Sequence, residues 1–165
     1  MRFLGNIEAK TDAKGRAFLP APFRKVLAAS GEESLVLRQD VFENLLVLYP
    51  VSVWSELMDD MRRRLSRWDR RQQMAYRTFV SSVVEVGIDG SGRILIPRSF
   101  LEAAGISQNV RFVGMGDTIE IWPADTMETM SKEDFGEVLS EVMKEEKDMK
   151  EENIKENKRK EETHD

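Results

Sequence analysis

The sequence predicts an α+β fold made of two copies of one small unit, and three observations support this prediction. A stretch that begins at Asp12 and continues to Phe23 recurs 77 positions later, from Asp89 to Phe100. Within the match, Asp, Gly, Arg, Pro and Phe fall in register without a gap. Each copy is followed by apolar runs in the same order, and self-similarity at a fixed offset is the signature of an internal repeat.

Five identical residue pairs align the copies: Asp12/Asp89, Gly15/Gly92, Arg16/Arg93, Pro20/Pro97 and Phe23/Phe100. Residues 46–50 also resemble residues 119–123, at a shorter offset of 73. The second copy therefore lacks four residues of the connection that includes Asp40 to Asn44. Surface connections tolerate such changes in length, so the repeat predicts two pseudo-symmetric halves.

The first copy is expected to begin with a β-hairpin in residues 2–19. Lys14-Gly15 supplies its turn, since glycine adopts a positive φ without steric cost. Pro20 ends the second strand because proline cannot donate to a β-ladder, and Pro22 suits the first turn of a helix. That short helix is expected to end at Gly31.

Apolar runs predict the remaining strands and helices of both copies. Buried strands are expected in the first copy at 35–38 and 45–49. The second copy should contribute strands at 83–88, 112–113 and 118–122, a short helix at 99–104 and an amphipathic helix from about residue 125.

Two further helices are predicted between the copies, at 53–65 with Ser52 as N-cap and at about 68–79 with Ser66 or Asp69 as N-cap. Seven arginines, opposed by Asp69, lie in this region: Arg62, Arg63, Arg64, Arg67, Arg70, Arg71 and Arg77. We interpret them as a solvated helix face paired with acids of neighbouring helices or subunits, and a phosphate-tracking surface is the alternative. Because the C-terminal helix is acidic, a head-to-tail contact between subunits is our hypothesis.

The net charge of −5 is distributed unevenly along the chain. Residues 1–124 hold 17 Lys/Arg and 15 Asp/Glu, whereas residues 125–165 hold 8 and 15. An apolar stripe from Met127 to Met143 is suited to packing, but the stripe does not continue beyond Lys144. The polar segment that follows cannot bury enough apolar surface to offset the entropy lost on ordering. We expect residues 1–80 to form the first repeat with two helices, 81–143 the second repeat with the C-terminal helix, and 144–165 a charged, mostly disordered tail, with a frayed helix as the alternative.

The Asp-x-x-Gly-Arg turns are the candidate binding sites. Arg16 and Arg93 each present a planar fork of donors, which fits phosphate or the O6/N7 edge of guanine. Lys14 at the tip of the first turn can add a phosphate contact. The supporting residues are Asp12, Gly15, Asp89 and Gly92, which fix the turn or the arginine rotamer. A plainer interpretation makes each turn a tight hairpin with a surface cation.

These residues resemble the MraZ family, a similarity that covers roughly residues 1–143. It is carried by the N-terminal Arg-Phe-Leu-Gly-Asn run, the two turns with their Leu-Pro and Ile-Pro sequels, Gly114 to Asp117, and Ile119 to Trp122. The resemblance implies tandem AbrB-like swapped-hairpin β-barrel units with flanking helices, and an Asp-x-x-x-Arg motif in each. It also implies a cytoplasmic, nucleoid-associated transcriptional regulator of the division and cell-wall gene cluster.

Family members assemble as closed rings and bind short direct repeats in their own promoter, so the expected partners are double-stranded DNA and further copies of the chain. No membrane partner is expected, since no apolar run approaches the length of a membrane span. No small-molecule substrate is expected either. The chain has no cysteine, which suits the cytosol.

Two other classes of function remain open. An enzyme is not expected, because the single histidine, His164, lies in the tail and no metal-ligand cluster or phosphate loop is evident, so no catalytic, cofactor or metal site is predicted. A non-DNA-binding structural or protein-interaction oligomer of antitoxin-like fold is the alternative. Trp54, Trp68 and Trp122 are expected to be core or interface anchors.

Overall fold

The structure is a computed structural model that describes residues 1–164. The last residue of the predicted tail, Asp165, lies outside the described residues. Contacts divide the chain into two compact units, Met1–Met127 and the segment that begins at Glu128. The chain contains both helices and antiparallel sheets, so the predicted mixture of α and β structure is confirmed.

Eight strands and four helices make up the first unit. The strands are β1 (Asn6–Lys10), β2 (Arg16–Phe18), β3 (Ser34–Gln39), β4 (Leu46–Pro50), β5 (Val84–Gly87), β6 (Arg93–Leu95), β7 (Asn109–Gly114) and β8 (Ile119–Pro123). The helices are α1 (Ala21–Ala29), α2 (Val51–Arg64), α3 (Arg70–Ser81) and α4 (Arg98–Ala103).

The strands of the two repeats are interleaved in two antiparallel sheets. One sheet has six strands in the order β1-β7-β8-β4-β3-β5, and the other is a ribbon of β2 and β6. If each strand is exchanged for its equivalent in the other repeat, the six-strand order reads the same from the opposite end. The repeat in the sequence therefore corresponds to a pseudo-two-fold relation between the two sets of strands in the structure.

The predicted hairpin in residues 2–19 is wrong in its pairing. β1 pairs with β7, with Ile7 opposite Phe112, and β2 pairs with β6, with Ala17 opposite Ile94. The turn between β1 and β2 forms as expected, but both strands find their partners in the second repeat. Period-2 alternation specifies which face of a strand is buried and leaves the identity of the neighbouring strand open.

The main core lies between the sheets and the short helices and draws on both repeats. Phe3 and Phe23 meet edge to face with ring centroids 5.7 Å apart, and Leu19, Ile96 and Phe112 are fully buried beside them. A second cluster forms around Trp54 and Trp122, where Trp54 stacks on Phe79. Trp68, by contrast, is 98% exposed, so the structure does not place it in a core.

The helix boundaries differ from prediction where proline is involved. Helix α2 begins at Val51 directly after the strand, and Pro50 occupies its N-cap position in place of the predicted Ser52. The fixed φ of proline, here −57°, suits the residue at which an extended chain turns into a helix. The predicted cap of α3 is confirmed, since Asp69 accepts a hydrogen bond from the Gln72 backbone N–H.

The second unit contains a helix of 31 residues, α5 (Lys132–Glu162), which includes most of the segment expected to be disordered. Ser131 caps its first turn, where Glu133 and Asp134 face the positive end of the helix dipole. Ion pairs with i,i+4 spacing, Glu146–Lys150 and Glu156–Lys160, support the polar half. No side chain of α5 is buried, and its apolar stripe is exposed: Phe135, Val138, Leu139, Val142 and Met143.

Candidate nucleic-acid interface

The first turn is held by a single carboxylate. Asp12 Oδ1 accepts hydrogen bonds from the backbone N–H groups of Lys14 and Arg16, both at 2.9 Å, and Oδ2 accepts from Arg16 Nε at 2.7 Å. A backbone bond from Gly15 N to the Asp12 carbonyl closes the turn, with φ of +88° at Gly15. The aspartate therefore fixes both the turn and the rotamer of the arginine.

The second turn repeats this geometry almost atom for atom. Asp89 Oδ1 accepts from the N–H groups of Ser91 and Arg93 at 2.9 Å, and Oδ2 accepts from Arg93 Nε at 2.9 Å. Gly92 has a φ of +86°. At the tip, Ser91 stands where the first turn carries Lys14, so the two turns differ by one charge.

These hydrogen bonds lower the pKa of both aspartates. The backbone N–H of Arg16 is the largest cause for Asp12, and the corresponding N–H of Arg93 is the largest for Asp89. Donors that point at a carboxylate stabilise its ionised form. Both carboxylates are therefore ionised at neutral pH and remain in place to orient the two guanidinium groups.

Each guanidinium is bound at Nε and open at its other end. The side chains of Arg16 and Arg93 are 35% and 29% exposed. Within the described part of the chain, neither donates a hydrogen bond from its two terminal amino groups. Two parallel N–H donors on a fixed planar group are what bidentate recognition of a phosphate or a guanine edge requires.

The ribbon of β2 and β6 brings the two arginines to one face. Arg16 lies opposite Leu95 and Phe18 lies opposite Arg93, while Ala17 and Ile94 point into the core. Arg16 and Arg93 are therefore diagonal neighbours, whose Cα atoms stand about 7–8 Å apart in such a ladder, with their Cβ atoms somewhat closer. The turns themselves lie at the two ends of the ribbon, since the strands are antiparallel.

A groove of about 390 Å³ runs along this face of the ribbon. Its lining includes both motif arginines together with Lys10 and Phe18. Of the predicted residues, the structure brings Arg16, Arg93 and Asp12 to this groove, whereas Lys14 lines a neighbouring depression with Arg98. The structure thus separates the tip lysine from the pair of guanidinium groups.

Two features of the ribbon and its turns were not predicted from the sequence. Phe18 and Leu95 are large apolar side chains on its outer surface, 57% and 52% exposed. The signal was available, because in a strand each lies two residues after a motif arginine and so shares its face. Arg24 was also missed: it donates to the Leu19 carbonyl and packs against Gly92, at the position that Leu101 occupies beside Gly15.

The arginine-rich helices α2 and α3 make partial local pairs. Arg63 and Arg64 share Asp60 at 3.5 and 3.0 Å, and both side chains are more than 70% exposed. Arg62 lies over the ring of Tyr76, 4.4 Å from its centroid. Two of the seven arginines therefore pair with an acid of their own helix, whereas pairing with acids of neighbouring helices or subunits stays a prediction.

Comparisons with known proteins converge on one family. The sequence model described as "MraZ protein, putative antitoxin-like" matches residues 79–151. A protein of Phocaeicola vulgatus named transcriptional regulator MraZ is 54% identical over 87% of this chain and 94% of its own length. Proteins of the same name from Bacteroides thetaiotaomicron and an Anaeromyxobacter species are 49% and 40% identical, over 88% and 81% of this chain and 95% and 91% of their own lengths.

No helix within residues 1–164 is long and apolar enough to cross a membrane. The same residues contain no group of His, Cys, Asp and Glu side chains that could hold a metal ion.

Proposed function

This chain belongs to the MraZ family, and from that premise we propose that it is a transcriptional regulator that binds double-stranded promoter DNA through Arg16 and Arg93. Its relatives are named as transcriptional regulators and not as enzymes, and the same role is assigned here. The observation that carries the proposal is the shared orientation of the two guanidinium groups, each fixed at Nε with its terminal donors open.

We propose that Arg16 and Arg93 meet the duplex while Asp12, Gly15, Asp89 and Gly92 hold them in position. A two-stranded ribbon is narrow enough to enter the major groove of B-DNA. Lys14, at the tip of the first turn, contacts a phosphate beside the groove and sets the register without reading sequence. A guanidinium bound at Nε loses little further entropy when its terminal donors meet an acceptor, so the aspartates prepare the site for binding.

We infer that the interleaved strands correspond to two AbrB-like swapped-hairpin units supplied by one chain. Four strand pairs cross between the repeats: β1 with β7, β2 with β6, β3 with β5 and β4 with β8. On this proposal residues 1–80 and 81–143 are the two repeats, the first with helices α2 and α3 and the second with the start of α5, and residues 144–165 are an appended charged segment.

One ribbon offers two arginines, which is little for a specific complex. We propose that copies of the chain close into a ring that engages successive direct repeats of the chain's own promoter, ahead of division and cell-wall genes. Linked sites gain effective concentration without any new contact. The exposed apolar stripe of α5 and the exposed Trp68 are surfaces that such an assembly would cover. A regulator of this kind would act in the cytoplasm at the nucleoid.

The test is a fluorescence-anisotropy titration on the duplex upstream of the protein's own coding region. Wild type should bind at low salt, and Arg16→Ala/Arg93→Ala should lose at least about 100-fold in affinity at unchanged particle size, because two bidentate contacts are removed. The control, Arg70→Ala/Arg71→Ala, removes the same charge from α3 and should stay within about threefold. A large loss in the control alone would place binding on the arginine-rich helices.

The second candidate is a protein-interaction oligomer of antitoxin-like fold that does not bind DNA. The observation in its favour is the exposure of Phe42 and Trp68, which are 90% and 98% exposed within the chain. The same titration separates the two functions. If wild type does not bind the duplex even at low salt, this second function is preferred. If the ribbon double variant binds DNA as tightly as wild type, the paired arginines are not the DNA contact and the proposed site is wrong.

A further inference from the structure

We propose that Phe18 and Leu95 form a thymine-reading surface, which contacts the 5-methyl groups of thymine between the bases or phosphates held by Arg16 and Arg93. This inference rests on the proposed DNA binding and adds a specificity element to it. Its occupant is duplex DNA, and its chemistry is an apolar contact in the major groove, where the thymine methyl is exposed.

The two side chains are exposed by the register of the ribbon. β2 and β6 are three residues long, and their central residues, Ala17 and Ile94, are each 1% exposed and face the core. Alternation along each strand then directs Phe18 and Leu95 outward. Both side chains keep more than half of their surface accessible to solvent. The ribbon consists of β2 and β6 alone.

The outward face is a square of two cations and two apolar side chains. Arg16 lies opposite Leu95, and Arg93 lies opposite Phe18, with its guanidinium carbon 5.9 Å from the Phe18 ring centroid. One diagonal of the square is therefore cationic and the other is apolar. A ligand that covers the face must carry negative charge or acceptors at two separated points and apolar groups between them.

The open donors of the face favour DNA among possible occupants. Asp12 and Asp89 pair with the two guanidinium groups at Nε and also accept from the N–H groups of their own turns, which leaves the terminal amino groups of both arginines open to acceptors. Lys10 adds a further cation to the groove. The backbone spacing across this diagonal, about 7–8 Å, is comparable to roughly two base steps of 3.4 Å. Thymine methyls at the intervening or adjacent positions then face Phe18 and Leu95.

A duplex in which uracil replaces every thymine tests this assignment, because uracil lacks the 5-methyl group and pairs identically. The full chain is titrated against the promoter duplex and its uracil counterpart under the same salt. Wild type is expected to bind the uracil duplex about three- to tenfold more weakly, which is roughly the loss for one buried methyl group. Phe18→Ala/Leu95→Ala should bind the thymine duplex more weakly and should no longer distinguish the two duplexes.

The conservative variant Phe18→Leu keeps an apolar side chain and should retain the preference for thymine. Both positions are exposed, so circular dichroism and particle size should match wild type for all variants. Equal binding of both duplexes by wild type overturns the thymine contact while leaving the proposed function intact. A preference that persists in the double alanine variant, or a change in particle size at an unchanged preference, also overturns it. If wild type binds neither duplex, the proposed function itself fails.

Discussion

The carbonyl oxygen of Ile96 lies against the α-carbon of Gly15, where any Cβ atom would collide with it. A hydrogen bond from Ile96 N to the Gly15 carbonyl holds the two backbones at this distance. The equivalent glycine, Gly92, instead faces the guanidinium of Arg24, a side chain that can move. The two glycines of the repeat are thus under different steric constraint.

We therefore predict that Gly15→Ala destabilises the protein more than Gly92→Ala. Both substitutions place alanine at a positive φ, which costs on the order of 1 kcal/mol, and Gly15→Ala must also displace backbone, for a total of roughly 2–4 kcal/mol. Urea unfolding measures the difference. Gly90→Ala is the control, since Gly90 has open space around it and alanine already stands at the matching position, Ala13. Equal losses for Gly15→Ala and Gly92→Ala would contradict the steric argument.

The depressed pKa values of Asp12 and Asp89 predict a specific loss of stability in acid. A carboxyl whose pKa is lower in the folded protein than its ordinary value of 3.8 stabilises the fold above that value. The contribution disappears as the pH falls through the folded pKa. Melting temperatures recorded from pH 6 to pH 2.5 should therefore decline less steeply in Asp12→Asn/Asp89→Asn than in wild type.

A matched control for this experiment is Asp59→Asn, which removes an exposed carboxylate of α2 that makes no hydrogen bond among the described residues. Its acid profile should follow wild type. The double Asp→Asn variant is also expected to weaken DNA binding at neutral pH, because an amide nitrogen in place of Oδ2 would face the Arg16 or Arg93 Nε–H group and release the rotamer. Parallel acid profiles for all three proteins would show that these turns do not contribute to the pH dependence.

The sequence predicted the turns better than it predicted the sheets, for a physical reason. Asp12, Gly15 and Arg16 form their turn through contacts within five residues, so residue types at fixed spacing were sufficient. The partner of β1 lies about a hundred residues away, and the alternation of Ile7 and Ala9 is compatible with any neighbour of the right face. The exposed apolar pair on the ribbon was missed because its significance depends on the β2–β6 register.

Arg16→Lys should separate charge from geometry at the ribbon. Lysine keeps one positive charge but cannot hold the Asp12 carboxylate with Nε and present two parallel donors at the same time. We expect specific affinity to fall by roughly 1–3 kcal/mol while the slope of log K against log salt stays close to that of wild type. Arg16→Ala should reduce the magnitude of that slope by about one unit. A lysine variant with wild-type specificity would indicate a phosphate contact instead of a guanine contact.

Truncation after Met143 tests the independence of the charged helix. No residue of α5 is buried, so removing residues 144–165 should shift the melting temperature of the remaining chain by less than about 2 °C. Far-UV circular dichroism should lose helical signal in proportion to the residues removed. Disorder was expected from the composition of this segment alone. The structure shows two stabilising features that composition does not reveal, the Ser131 cap and the i,i+4 ion pairs. An unchanged helical signal per molecule would support the disordered tail.

The proposed contact between subunits of a ring leads to the last prediction. Arg63 and Arg64 share one carboxylate, Asp60, so the end of α2 remains strongly basic after local pairing, and Arg67 is exposed beside them. The start of α5 is acidic and exposed, with Glu133 and Glu137 among its charges. A basic surface and an acidic surface on one chain can join head to tail between copies, and such heterologous contacts close into rings.

Arg63→Glu/Arg64→Glu/Arg67→Glu should therefore reduce the particle to small species, as measured by light scattering after gel filtration. Like charges would then face each other across the contact, and the penalty is repeated at every interface of the ring. Mixing this variant with Glu133→Arg/Glu137→Arg, which should also fail to assemble alone, is expected to restore large particles because the opposite charges meet again. The substituted side chains are exposed, so secondary structure should be retained. A triple variant with wild-type particle size would exclude this contact and leave assembly to the apolar stripe of α5.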